Sequence, residues 1–411
     1  WAAYGVMNGA FWQWGNELEE FLHSPQKDAH LLEPQKKAFI HAAHQMYLAL
    51  EAVFGVLAKS GKKHLIFARL GRLWQIPFEL LLCTPADATT PYREMDFLLR
   101  HFSVTYAPTL SLWQRAPQWA QNGRVLFVAP DYSPAAGHRR TEREVTLRAR
   151  LRALDFFRTQ SRQLAAQYAS DTLFGAAASR EAVLQRWENS TYSVVQLATH
   201  NVLHTYHLDS AAMVFAESAD TITDDILPHQ ELAQLELSTA LVLLTGCEVE
   251  HQGAGYSDNM PTLAYQTLYA GARCVVANRW LVEEAASAPI LLQFYAQLYD
   301  GVPPAQALRR AQLFHLRHAS TEATHPYFWA NFACFGDGLQ AIYLQARRVD
   351  ATIWLFLVAR LLTAFFLPHL LRDIDEIKRQ RRQKIYMKKC CFFLICPTHP
   401  TPAVESRAIV A

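Results

Sequence analysis

The chain has 411 residues, 51% of them hydrophobic and 18% charged, with 39 Lys and Arg against 37 Asp and Glu for a net charge of +2. This composition excludes a disordered chain and a strongly charged nucleic-acid or membrane binder, and it leaves room for one large domain with appendages or for two or three domains. Seven cysteines at 83, 247, 274, 334, 390, 391 and 396 form no C-x-x-C pair, which argues against a disulfide framework and a zinc ribbon and for a reducing, cytoplasmic setting.

Residues 1–61 read as a helical N-terminal segment. Leu31, Ala38, Ala42, Met46 and Ala49 recur at helical spacing between Lys36, Lys37 and His41. The segment fits a helical cap or the remnant of a repeat array. Trp1 starts the chain inside this helical stretch, so the expectation is a fragment of a longer protein. From residue 62 the pattern changes to short apolar runs. His64–Ala68, Phe102–Pro108 and Val125–Val128 read as strands, and Gly71 marks a turn before Trp74–Leu81. Thr141 followed by Glu144 is a capping signal that predicts a helix over 141–154, and a second helix is expected over 180–187.

Strands are expected at 194–198, 212–215, 241–244, 274–277 and 332–335, with helices at 260–269, 283–299 and 304–316. Near-continuous apolar strands alternating with helices predict an α/β fold with a central, mainly parallel sheet covered on both faces. After Gly338, Ile353–Leu371 is almost wholly apolar and long enough to span a bilayer, but it holds Arg360, Pro368 and His369. Arg372–Lys389 carries eight Lys/Arg against three Asp/Glu, a net of +5 (8 − 3). The stretch 353–389 therefore admits a helix packed on the domain, a membrane span, or a helix on an anionic membrane surface. Residues 392–411 are expected to be disordered.

Two of the strand candidates stop on reactive residues. Tyr192–His200 reads Y-S-V-V-Q-L-A-T-H, and Ala240–Cys247 reads A-L-V-L-L-T-G-C. His200 and Cys247 are 47 positions apart (247 − 200). Neighbouring parallel strands release their side chains at one carboxyl edge, where open α/β sheets bind ligands. A free cysteine is mostly thiol at neutral pH, and a histidine beside it stabilises the thiolate and later protonates the leaving amine. Cys247 is the candidate nucleophile and His200 the general base and acid. Gly246 permits close backbone approach, and the N–H groups of Asn201, Gly246 and Cys247 are candidate oxyanion donors. His200, His204 and His207 also form an H-x3-H-x2-H cluster that zinc could use, but no H-E-x-x-H helix accompanies it, and no metal is expected.

The stretch 62–340 resembles the CHAT domain, a caspase-like peptidase module often found behind TPR repeats. The resemblance runs in chain order through Gly71–Glu79 (G-R-L-W-Q-I-P-F-E), Tyr106-Ala107-Pro108-Thr109-Leu110, Leu197-Ala198-Thr199-His200, Gly246-Cys247-Glu248, Ala270–Val276 followed by Trp280, and His325–Phe332 followed by Phe335-Gly336-Asp337. It implies a caspase-like three-layer αβα fold preceded by helices and followed by the C-terminal helix. A degenerate companion half over 62–150 and a dyad-bearing half over 185–340 are implied, with 341–411 as an appendage. The implied activity is cysteine endopeptidase cleavage of a protein substrate through an acyl-enzyme, with no cofactor, in bacterial signalling. The implied partners are a protein or peptide substrate and a regulatory repeat region, with no direct nucleic-acid contact and an optional membrane contact through 353–389. The resemblance also implies that Trp280, Glu283 and Glu284 line the pocket for the residue before the cut. Three departures stand out: Asn201 where the family has glycine, Glu248-Val249-Glu250 after the cysteine where it has x-Thr-Gly, and Leu281-Val282 after the tryptophan where it has proline. Two carboxylates near a thiolate disfavour it, so a catalytically impaired interaction module is the alternative.

Overall fold

A computed structural model describes residues 9–23, 29–68, 76–107, 109, 119–133, 151, 154–189, 191–202, 212–218, 225–246, 262–280, 284–347 and 351–392. Contacts divide the chain into two compact units, 1–347 and 348–411.

The first unit opens with α1 (Gly9–His23) packed on α2 (Ala29–Lys59). The stripe that holds α2 in place is Phe39, Ala42, Ala43, Met46, Leu50 and Phe54, all buried. The expected stripe shares Ala42 and Met46 with it, but Ala38 is exposed and Ala49 half-buried. Phe39, one residue on, carries the burial because an aromatic ring removes far more apolar area from water than a methyl group. Phe39 stacks on Phe21 of α1 with ring centroids 4.4 Å apart.

Next come β1 (His64–Ala68), β2 (Ser103–Ala107) and β3 (Val125–Pro130). They are followed by α3 (Asp155–Gln167), β4 (Ser170–Gly175), α4 (Arg180–Asn189), β5 (Val194–Leu197), β6 (His200–Val202), β7 (Ala212–Val214), β8 (Ile226–Pro228) and α5 (His229–Leu232). The unit closes with β9 (Leu241–Leu244), α6 (Thr262–Tyr269), β10 (Cys274–Asn278), α7 (Glu284–Tyr299), α8 (Pro304–His318), α9 (Pro326–Trp329) and β11 (Phe332–Gly336).

Among the described residues, eight strands form one sheet in the order β1-β2-β11-β10-β9-β5-β3-β4. Every neighbouring pair is parallel except β10–β11. The central strands β3, β5, β9 and β11 are buried along their whole length, whereas the edge strands β1 and β4 are half-exposed. This is why the central strands read as unbroken apolar runs and the edges do not. By the right-handed rule for parallel crossovers, the strand order assigns α3, which carries the chain outward from β3 to β4, to the face opposite α4 and α6, which carry it the other way. Helix α7 packs against both α3 and α8, and α6 packs on β10 and α5. The result is the three-layer α/β architecture expected from the sequence.

One expectation changes. The apolar run at 212–215 is not a strand of the main sheet: β7 is the middle of a separate three-stranded antiparallel sheet, β6-β7-β8. An isolated apolar run carries no information about which sheet it joins. Helix α3 and strand β4 are additional elements that periodicity did not indicate. The buried face of α3 includes Gln160 and Ser161 beside Phe157, Leu164 and Ala165, so its apolar stripe is broken. Ser161 is buried because its hydroxyl accepts from Gln196 Nε2 at 3.1 Å, while the Tyr295 hydroxyl donates to Gln196 Oε1 at 2.8 Å. This chain of polar groups joins α3, β5 and α7 in the core. The predicted helix over 141–154 falls almost wholly outside the described residues.

The second unit is α10 (Ala351–Phe392), with Pro368 inside it. Among the described residues, no helix is long and apolar enough to cross a membrane. A central arginine costs ~2.5–3.5 kcal/mol on insertion scales, which Arg360 would incur. The expected disordered tail, after its first residue Phe392 at the end of α10, lies outside the described residues.

Candidate active site

The carboxyl ends of β5 and β9 bring the two sequence candidates' neighbourhoods together. The strands pair in parallel from Val194↔Leu241 to Leu197↔Leu244, a constant offset of 47 (241 − 194 and 244 − 197). Thr245 continues it, donating its backbone N–H to Leu197 O at 3.0 Å. The offset holds one pair further on, because Gly246 lies against the Thr199 carbonyl (246 − 199 = 47) so closely that a Cβ at 246 would overlap that oxygen. Only glycine permits this approach. The next pair at this offset is His200 and Cys247; Cys247 itself lies outside the described residues, as do His204 and His207.

His200 opens β6 rather than ending β5, so the chain leaves the main sheet for the small one between Leu197 and His200. Its ring is almost fully buried, at 6% exposure. Tyr132, two residues beyond β3, holds it: the Tyr132 hydroxyl accepts the His200 backbone N–H at 2.9 Å, and the two rings pack with centroids 4.9 Å apart. No sequence signal singled out Tyr132; the pairing of β3 with β5 brings it there. Asn201 pairs with Met213 of β7 and is half-buried.

Trp280 is buried and donates its Nε1–H to Tyr327 O at 3.0 Å, so its indole is tied to α9. Glu284 is the first residue of α7, and Glu283 lies outside the described residues.

Several described residues of the motifs that carried the family resemblance form joints around this edge. Glu79 accepts a hydrogen bond from the Tyr106 hydroxyl at 2.6 Å and pairs with Arg279 at 3.7 Å, with both charged side chains at most 5% exposed. The Arg279 guanidinium lies over the Tyr106 ring, 4.2 Å from its centroid, and its backbone N–H donates to Asn331 O at 2.8 Å. Burial, the first cause, pushes the Tyr106 phenol well above its ordinary value, and Glu79 adds to this while Arg279 opposes it. Glu79, Tyr106, Arg279 and Asn331 thus tie β2, β10 and the start of β11 together through one buried polar cluster. His325 caps α9, its Nδ1 accepting from Tyr327 N at 3.1 Å, and stacks on Phe21 of α1 at 4.6 Å. Trp329 is fully buried and donates to Thr324 O at 3.0 Å. Gly271 has φ +116, a conformation that requires glycine, and passes close over Leu237 O.

Among the described residues, one group of potential metal ligands exists: Cys83, Asp96 and His101 offer atoms within 4.8 Å of one another. His101 Nε2 already bonds Asp96 Oδ1 at 2.7 Å. Burial, with Asp96 adding to it, pushes the Cys83 thiol up to about 12, which makes it a weak ligand near neutrality.

A family model described as the CHAT domain matches residues 32–337. Among curated proteins, tetratricopeptide repeat protein 28 of Homo sapiens is 30% identical over 145 residues, and that of Mus musculus is 28% identical over 145 residues. Each alignment covers 33% of this chain, which spans only 6% of the length of those relatives. Among solved structures, the Arg-specific cysteine proteinase gingipain R covers 74% of this chain and 68% of its own, at 10% identity and a TM-score of 0.41. The Saccharomyces cerevisiae separase–securin complex covers 82% of this chain and 23% of its own, at 11% identity and a TM-score of 0.41. The family match takes in most of α2 and every strand of the sheet: this chain belongs to the CHAT domain family.

Proposed function

We propose that this protein is a caspase-like cysteine endopeptidase in which Cys247 attacks a peptide carbonyl and His200 moves the proton. The observation that carries this reading is the shared offset of 47: it governs the pairing of β5 with β9 and the Thr199–Gly246 contact, and it is also the separation of His200 from Cys247. The reading requires the two chains to keep that offset for one more pair, which sets imidazole and thiol at the same level. His200 takes the thiol proton, the thiolate adds to the carbonyl, and the tetrahedral oxyanion is met by backbone N–H groups among Asn201, Gly246 and Cys247. Collapse expels the amine, which receives the proton from His200, and water then hydrolyses the acyl-enzyme. Tyr132 orients His200 by holding its backbone and one ring face. Trp280, Glu283 and Glu284 complete the reading as the wall of the substrate pocket, where carboxylates favour a basic side chain. The substrate is a protein or peptide, and the module acts under a repeat region or partner in a cytoplasmic setting. The halves 62–150 and 185–340 belong to this reading as companion and dyad-bearing units. Helix α10 adds attachment to an anionic membrane surface, supported by its exposed Phe365, Phe366 and Leu370 ahead of the basic run.

An electrophilic peptide probe tests the chemistry. Labelling is expected at Cys247, identified by mass spectrometry, and loss of labelling is expected in His200→Ala. Labelling of Cys247 that is independent of His200 overturns the dyad. The competing reading is an interaction module without activity. It is favoured by the 6% exposure of His200 and by Glu248 and Glu250 after the cysteine; absence of labelling in a folded protein that still captures a peptide partner supports it.

A further inference from the structure

Helices α7 and α8, with the turn before β2, enclose an open cavity of about 370 Å³ lined by Arg100, Arg309, Arg310 and Arg317 and by no carboxylate. Two of these arginines are fixed from behind by the main chain. Arg309 donates through Nε to Leu99 O at 2.6 Å and through Nη2 to Arg100 O, and Arg100 donates through Nε to Met95 O at 2.7 Å and through Nη2 to Arg93 O. Arg310 is exposed and held by Gln297 Oε1 at 3.0 Å, and Arg317 is exposed. Residues 309, 313 and 317 are four apart on α8, so Arg309, Leu313 and Arg317 share one helix face. Burial lowers the Arg309 guanidinium, and repulsion from Arg310 and then Arg317 lowers it further. At Arg100 burial lowers the value, Asp96 partly restores it, and Arg317 opposes that.

Four like charges converging on one concavity repel one another, and a bound anion relieves that repulsion. We propose that this cavity binds a small multivalent phosphate-bearing anion, such as an oligophosphate or the phosphate chain of a nucleotide. Three features point to this class. The guanidinium fork matches phosphate oxygens in pairs. The two main-chain-anchored arginines are ordered before the ligand arrives, so less side-chain freedom is lost on binding. The cavity is an open bowl walled by two helices and a turn, which suits a compact ligand of several charges rather than an extended acidic chain.

The test is calorimetric titration of the full chain with sodium tripolyphosphate at about 0.15 M salt, where charges beyond roughly 8 Å are screened. Saturable one-to-one binding is expected. R310Q/R317Q, at exposed positions, is expected to fold and to weaken binding by about tenfold or more, while R310K/R317K retains part of it. R381Q/R382Q, in the basic run of α10, should leave binding unchanged. ATP competing with tripolyphosphate identifies a nucleotide; failure of adenosine to compete shows that the phosphates are recognised. No saturable binding, equal loss in both glutamine pairs, or binding of an acidic peptide without binding of tripolyphosphate overturns the proposal.

Discussion

At the scale of single residues, the decisive position is Gly246. Its backbone touches the Thr199 carbonyl so closely that any side chain must part β5 and β9 at their exits. Overpacking of this kind costs about 1–3 kcal/mol. Gly246→Ala is therefore expected to lower the thermal midpoint and to abolish probe labelling at Cys247; labelling at the parent rate would show that the two exits need not stay in contact. Glu79 is the second such position. Removing its carboxylate leaves Arg279 charged and buried at 3% exposure, and breaking a buried pair costs about 3–5 kcal/mol. Glu79→Ala is expected to show that loss in urea unfolding, and Glu79→Gln less, since an amide can still accept from Tyr106. In the sequence, Glu79 and His325 resembled family signatures with no assigned purpose. The structure gives both a structural task, which residue type alone does not disclose.

Elements respond to pH through their buried histidines. His229 opens α5 at 5% exposure, and burial lowers its ring to about 4. Burial likewise lowers His325, which joins α9 to α1, to about 4, and Lys36 adds to the effect. His64, bonded from β1 to Ser103 and Thr105 of β2 at 2.8 and 3.2 Å, is lowered to about 4 by burial against the opposing pull of Asp337. All three rings are neutral in the fold above that value, whereas unfolded histidine takes up its proton near 6.5. The unfolded chain thus binds more protons between pH 6.5 and 4, so stability is full above that window and falls as pH drops through it. His229 alone accounts for roughly 3 kcal/mol at its full shift. Urea midpoints measured at pH 7.5 and pH 5 should differ, and His229→Leu should narrow the difference; an unchanged difference would exclude His229 as a contributor. Edge strands show why some elements escaped notice. β4 is half-exposed, so its side chains are not selected for the apolar continuity that made β5 and β9 legible.

For the molecule as a whole, the division after Arg347 is the testable feature. The family match ends at 337, and the core from α1 to β11 lies inside the first unit. A chain ending at 347 is expected to keep the thermal midpoint of the full chain and its labelling at Cys247. A fall of several degrees, corresponding to about 1 kcal/mol or more, would show that the first unit depends on residues 348–411.

The sequence by itself determined the fold class, the order of the central strands' apolar runs, the separation of 47 between His200 and Cys247, and the family. These are local or periodic properties, since burial on both faces of a strand demands consecutive apolar residues wherever that strand lies. Only the tertiary structure decided that β5 and β9 are neighbours at that same offset, that β7 leaves the main sheet, that Tyr132 supports His200, and that four arginines from two distant segments share one cavity. Each depends on which segments pair across long stretches of chain. Pairing is chosen by the packing of the whole core, and no residue type or spacing records it.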